Sequence, residues 1–329
     1  MVLAAVETVI VIFLMIGAGV FIAAKKWVNS DTMNIFPKII VNIAMPCMIV
    51  YFFSDPEYIT KQKIIDAWLP IALVFVVVPL TFIIGKLVAA AFRIPDTRRG
   101  VFAALFPFSN SIFIGVPVAT ALFGSAGLPF VMYYYLANTA FFWTLGFYSI
   151  RRDADLIKGV ESRVGFGEVM KKLVSPPMIS LIVMFIIVLS GVKLPPFLVT
   201  AAKDMNGLVT PLSLVYMGCM IYSFRKECFS FERDVVPVML GRFLIAPGLM
   251  FAVCTLAVGL FGGQMGSIDP ILMRNVVTMQ AGLPAMTNIS IVAAYCGADS
   301  GFATKSFFWT TLFALLTIPA YMLLFHSIG

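Results

Sequence analysis

Long apolar runs, each bounded by a few polar or basic residues, follow one another along almost the whole chain. A helix that crosses a bilayer needs roughly 20 mostly apolar residues. Ten runs are read as such helices: Ala5–Ala24, Met33–Phe53, Trp68–Phe92, Val101–Phe123, Leu128–Ile150, Met178–Gly191, Met205–Phe224, Val235–Leu260, Ile271–Cys296 and Thr304–His326. The sixth is the shortest and reaches full length if it starts before Pro176 and ends near Pro195. Membrane strands are excluded, because the runs are too long and lack the alternation of about ten-residue segments. The pattern therefore predicts an all-α integral membrane protein with ten transmembrane helices.

Composition agrees. The chain is 61% hydrophobic and 12% charged, with mean hydropathy +1.00, whereas soluble domains are about 45–50% apolar and about 25% charged. The net charge of +7 does not point to nucleic acid, since the basic residues sit in the joints between runs. Lys25 and Lys26, Arg93, Arg98 and Arg99, Arg151 through Lys172, Arg225, Lys226 and Arg233, and Lys305 follow odd-numbered runs. Only Lys61, Lys63, Lys193, Lys203 and Arg274 follow even-numbered ones. Basic joints lie on the cytosolic side, so both termini are expected outside the cell (inner) membrane. The first charge is Glu7 and no basic segment precedes the first run, which reads as a retained helix rather than a cleaved signal. The cysteines, Cys47, Cys219, Cys228, Cys254 and Cys296, are scattered singly, and suggest neither a disulfide framework nor a metal site. No cofactor is implied.

The chain repeats itself. When Thr32–Phe52 is laid over Asp204–Phe224 without gaps, Met33, Asn34, Met45, Cys47, Met48, Ile49 and Phe52 match Met205, Asn206, Met217, Cys219, Met220, Ile221 and Phe224. The second run thus resembles the seventh, and the chain divides into a first five-helix repeat (1–150), a cytosolic linker (151–175) and a second repeat (176–329). Five is odd, so the second copy enters the membrane from the opposite side. Such inverted repeats are common in secondary transporters.

The fourth and ninth runs are interrupted at corresponding places, Phe106–Pro117 and Met279–Asn288, by proline, glycine and polar residues. Proline removes a backbone donor and clashes with the preceding turn. Irregular backbone at membrane depth is tolerated only where protein or a water-filled cavity satisfies it. Paired interruptions are the best sequence pointer to a transporter's binding site. Each break exposes a new helix N-terminus with free N–H groups and partial positive charge. Two such ends crossing would favour an anion without a buried Lys or Arg, which fits the absence of buried charge near the breaks of the fourth and ninth runs.

Around these breaks the sequence resembles the auxin efflux carrier family, in its shorter prokaryotic form. The resemblance rests on Ser109 to Pro117, with Asn110, Gly115 and Pro117; on Gly282 to Asn288, with Pro284, followed by Tyr295 and Gly297; and on Ser175-Pro176-Pro177 through Pro195-Pro196 around the sixth run. It implies crossing helices 4 and 9, and a scaffold of helices 1, 2, 6 and 7 with a homodimer contact through helices 2 and 7. It further implies a transport domain of helices 3–5 and 8–10 moving as an elevator, and small organic anions such as malonate or malate as substrates. The 151–175 linker is short, which argues against auxin itself. By match to the motif, Asn110 and Asn288 become substrate-binding candidates. Ser109, Ser111, Gln280 and Thr287 flank them, while Gly115, Pro117, Gly282 and Pro284 shape the crossing.

Other polar residues read differently. Asn42 and Asn138 suit hydrogen bonds between helices. Glu7, an acid inside the first run, is either an ion site or a group that reaches water at the outer end. Arg242 and Arg274 sit near run ends and are expected to snorkel, as is His326 at the chain end. No HExxH, nucleophile with a nearby histidine, or acid cluster suggests an enzyme. A sodium- or proton-coupled symporter of the bile-acid-carrier type is the alternative within transporters, and an anion channel or membrane sensor the alternative outside them.

Overall fold

A computed structural model describes residues 2–33, 35–56, 59–159, 176–228 and 232–328. Residues 160–175, most of the expected linker, lie outside the described residues, as does Asn34. The side chains of Glu7, Cys228 and His326 also lie outside them. Among the described residues every regular element is a helix, and the only bridge pairing is isolated, between Ser109 and Ala285.

The principal helices are α1 (Val2–Ala24), α2 (35–54), α3 (Trp68–Ala91), α4 (Arg99–Leu105), α5 (111–123), α6 (128–158), α7 (Pro176–Ser190), α8 (Pro196–Asn206), α9 (Val209–Cys228), α10 (235–261), α11 (Pro270–Ala281), α12 (Thr287–Cys296) and α13 (Ser300–Ile328). By length and composition, residues 61–91, 196–223 and 235–264 can each cross a membrane, and Ser300–Ala314 with Leu316–Phe325, bent by 45°, makes a fourth. The helix α8 was not anticipated. Pro195 and Pro196 start it, proline being favoured at a first helical turn.

Large apolar side chains point outward, among them Leu87, Leu244, Leu256, Leu260 and Leu316, while Ser109, Asn138, Arg242 and Gln280 are fully buried. That distribution suits a lipid exterior, where polar groups must find partners inside the protein.

The prolines explain several widened turns. Residues Ile40–Ala44, Ser111–Gly115 and Gly241–Ile245 each form a π turn. Pro46, Pro117 and Pro247 follow two residues later in each case. A proline ring clashes with the carbonyl four residues earlier, and a wider turn moves that carbonyl aside. In α10 the carbonyl in question belongs to Phe243, and the Tyr321 hydroxyl donates to it at 2.5 Å.

Two groups of helices emerge from the packing. The helices α1, α2, α7, α8 and α9 contact one another, as do α3 to α6 with α10 to α13. In the first group α1 lies against α9, where Gly19 and Gly218 let the backbones touch: a Cβ on Gly218 would come within 2.0 Å of the Ile16 carbonyl oxygen. Asn42 does not bond between helices as expected; its Nδ2 donates to the Lys38 carbonyl of its own helix at 2.8 Å. Its side chain is exposed, so its own backbone is the nearest partner.

In the second group, Asp153 of α6 caps α4, its carboxylate accepting from the N–H of Gly100 (2.9 Å) and of Val101 (2.8 Å). Burial pushes this carboxyl up to about 6, against the opposing pull of those two N–H groups. Nearby, Arg98 gathers three joints of the chain by pairing with Asp299 (2.6 Å), Glu232 (3.0 Å) and Asp234 (3.0 Å). Lys305 closes the cluster on Glu232 at 2.6 Å.

Candidate functional site

The two interrupted segments cross. Helix α4 ends at Leu105 and α5 begins at Ser111; α11 ends at Ala281 and α12 begins at Thr287. Between them the extended residues pair antiparallel: the Asn110 N–H donates to the Pro284 carbonyl (3.0 Å) and the Met286 N–H to the Phe108 carbonyl (2.9 Å). Each broken helix thus satisfies part of the other's free backbone, as buried backbone must be satisfied. Neighbouring side chains complete the accounting. Asn138 of α6 clasps Ser109, accepting from its N–H and donating to its carbonyl, both at 3.0 Å. Thr310 of α13 accepts from the Ala285 N–H at 3.2 Å.

Arg242 occupies the other side of the crossing. Its Nη1 donates to the Phe106 carbonyl (2.6 Å) and its Nε to the Leu283 carbonyl (2.9 Å). Its Nη2 reaches the Ala281 carbonyl (3.2 Å), the Leu283 carbonyl (2.5 Å) and Ser109 Oγ (2.6 Å). This corrects the expectation that Arg242 snorkels: it is fully buried. It also corrects the expectation that the breaks hold no buried charge. The carbonyls at the ends of α4 and α11 carry partial negative charge, and one planar guanidinium can bond several of them at once. The residue had looked terminal because only seven positions separate it from Val235. Gly241 makes room, since a Cβ there would sit 2.4 Å from the Phe106 ring.

With the C-terminal ends held, the N-terminal ends of α5 and α12 are left to face each other. Asn110 caps α5, its Oδ1 accepting from the Phe113 N–H at 3.3 Å, and its Nδ2 donates to Thr287 Oγ1 at 3.0 Å. Met286, which precedes α12, has no capping side-chain bond. The crossing therefore concentrates N–H groups and partial positive charge beside Asn110 and Thr287.

The expected site residues sort accordingly. Asn110, Ser109 and Thr287 lie at the crossing, with Pro284 in the paired backbone. Ser111 is buried in the first turn of α5 and bonds back to the Ser109 carbonyl at 3.5 Å. Gln280 lies under Gly115, donating to its carbonyl at 3.2 Å, and its Oε1 is buried without a partner. Gly115 and Gly282 mark tight contacts, the first against Gln280 and the second against the Tyr321 ring. Pro117 sits behind the site, in α5. Asn288 is half-buried in the first turn of α12, next to Thr287. The interhelical role expected of Asn138 holds, and it falls on the crossing itself. Arg242, Tyr134 and Thr310 had not been read as site residues. Tyr134, which contacts Ser109 Oγ at 3.1 Å, carries no periodic signal, because an aromatic in an apolar run looks like core. Arg274 sits in α11 with its guanidinium 4.7 Å from the centre of the Phe251 ring.

Relatives align with nearly the whole of this chain. The chain is 23% identical over 325 residues to an uncharacterized transporter of Methanocaldococcus jannaschii, covering 95% of this chain and 96% of that one. It is 22% identical over 316 residues to an uncharacterized transporter of Methanothermobacter thermautotrophicus, with 95% and 96% covered. The profile of the family described as membrane transport protein matches residues 4–322. The chain belongs to that family, the family of the auxin efflux carriers, and is a membrane transporter.

Proposed function

We propose that the protein is an alternating-access carrier for a small organic anion, a mono- or dicarboxylate such as malonate or malate. The observation that carries this reading is the asymmetry of the crossing. Arg242 takes up the C-terminal carbonyls of both broken helices, while the N-terminal ends keep their partial positive charge beside Asn110, Thr287 and Asn288. A carboxylate is the complement of such a pair of ends. Asn110, Asn288 and nearby backbone N–H groups bind the carboxylate; Ser109, Ser111, Gln280 and Thr287 support them. Gly115, Pro117, Gly282 and Pro284 shape the space.

The architecture in this reading is a ten-helix, 5+5 inverted repeat, with both termini outside the cell membrane. Its scaffold comprises α1, α2, α7 and α9 and dimerises through α2 and α9. The second packing group is the moving part. In support, the contact between the groups is aromatic and apolar, with Phe113 against Tyr216 at 5.4 Å and Phe307 in one apolar cluster with Tyr216 and Met220. Apolar contacts have no directional bonds to break when one surface slides over another.

The test is thermal stability of the purified protein against a panel of small carboxylates, with and without sodium, repeated in Asn110→Ala. A ligand that binds only the folded state raises stability as its concentration exceeds its dissociation constant. A shift with one acid that vanishes in the variant supports the reading; no shift with any acid refutes the anion assignment. A cation-coupled mechanism is a second reading, favoured by the unpartnered buried oxygens Gln280 Oε1 and Thr278 Oγ1. A shift that requires sodium would favour it.

A further inference from the structure

Arg242 is the one fully buried cation among the described side chains, and every group it bonds is neutral. No carboxylate among the described residues lies within ion-pair distance of it. A charge taken out of water at this depth is costly unless an opposite charge answers it. Carbonyl dipoles ease that cost, yet they leave the unit charge in place. Through Nη2 and Ser109 Oγ that charge stands one residue from Asn110, and Asn110 bonds Thr287.

We propose that Arg242 is a specificity-determining residue: its unanswered positive charge sets the requirement for a negatively charged substrate, although the guanidinium itself does not touch it. This rests on the reading that an anion binds beside Asn110 and Thr287. Arg242 bonds only to segments of the second packing group, so its charge moves with the site. The substrate-free moving part carries this extra positive charge at membrane depth, and a bound monoanion cancels it. A neutral unit crosses the hydrocarbon region more readily than a charged one, so for a monoanion the charge also favours movement of the loaded over the empty carrier.

Malonate, malonamate and malonamide share one skeleton and carry two, one and no negative charges. Their affinities are measured by competition against radiolabelled malonate in wild type, Arg242→Lys, Arg242→Gln and Asn110→Ala. In wild type malonamate binds more tightly than malonamide. In Arg242→Gln that preference falls about ten-fold or more, the loss expected when a desolvated charge interaction is removed, whereas Arg242→Lys keeps most of it. A purely structural clamp predicts otherwise, because lysine cannot bridge three carbonyls: both variants would lose stability and neither would lose the preference. An unchanged preference in Arg242→Gln, or equal losses in Lys and Gln variants, overturns the proposal while binding lost in Asn110→Ala upholds the site. Failure of wild type to bind either charged probe overturns the anion reading and this inference together. Should Arg242→Gln not fold, wild-type proteoliposomes decide. Malonamate exchange should be indifferent to an imposed membrane potential while net malonamate efflux responds to it, and potential-dependent exchange overturns the proposal.

Discussion

Asn110 and Thr287 come from different halves of the chain and meet side chain to side chain, Asn110 Nδ2 donating to Thr287 Oγ1 at 3.0 Å. Both are buried, so a partner removed from one leaves the other unsatisfied. Thr287→Val keeps the shape and deletes the acceptor. It should lower stability by about 1–3 kcal/mol, the cost of an orphaned buried donor, and should weaken carboxylate binding. Thermal unfolding with and without ligand measures both effects.

The contact between α1 and α9 gives a matched pair of glycine tests. A Cβ on Gly218 would lie 2.0 Å from the Ile16 carbonyl oxygen, whereas one on Gly17 meets nothing within 4 Å. Gly218→Ala should destabilise the protein by about 1–3 kcal/mol through overpacking. Gly17→Ala should be neutral or raise stability by up to about 1 kcal/mol through helix propensity. Unfolding curves of the two variants separate the effects.

Asp153 makes stability depend on pH. Burial raises its carboxyl from 3.8 to about 6 in the folded protein. The unfolded chain then loses its proton at lower pH than the folded one, and above its own pKa the unfolded state is favoured. Stability should therefore fall as pH rises from about 4 to about 6 and level off beyond. The slope should disappear in Asp153→Asn, measured as the difference between two melting-temperature profiles.

The Arg98 cluster should contribute modestly. Its side chains are between 22% and 31% exposed, and partly solvated pairs are worth about 1 kcal/mol or less each. Arg98→Ala should lower the melting temperature by a few degrees, and added salt should shrink the difference between variant and wild type. A difference unaffected by salt would mean that stacking of Arg98 on Phe302, at 4.6 Å, supplies the stability instead.

Helix content and both interruptions were legible because proline, glycine and apolar run length act locally. Phe106–Pro117 and Met279–Asn288 stand out in the sequence for that reason, while their crossing was implied by the resemblance to the auxin efflux carriers. The partners that complete the crossing were not legible. Nothing local marks Asn138 as the clasp of Ser109 or Thr310 as the acceptor for Ala285, since each lies on another helix. Arg242 was misread because distance along a run is a poor guide to depth when the run starts inside the protein: Val235 is already fully buried. The helix α8 escaped notice because Pro196–Asn206 is short and mixed in polarity. Only together with the run that follows it, over residues 196–223, does it reach spanning length.

The central claim is tested most directly by counterflow. Proteoliposomes holding the purified protein are loaded with unlabelled malonate and diluted into a trace of labelled malonate. A carrier with its site at the crossing should accumulate label transiently above the outside concentration, saturate with substrate, and lose both behaviours in Asn110→Ala. Flux that neither saturates nor shows counterflow would identify a channel. Counterflow undiminished in Asn110→Ala would move the site away from the crossing of the two broken helices.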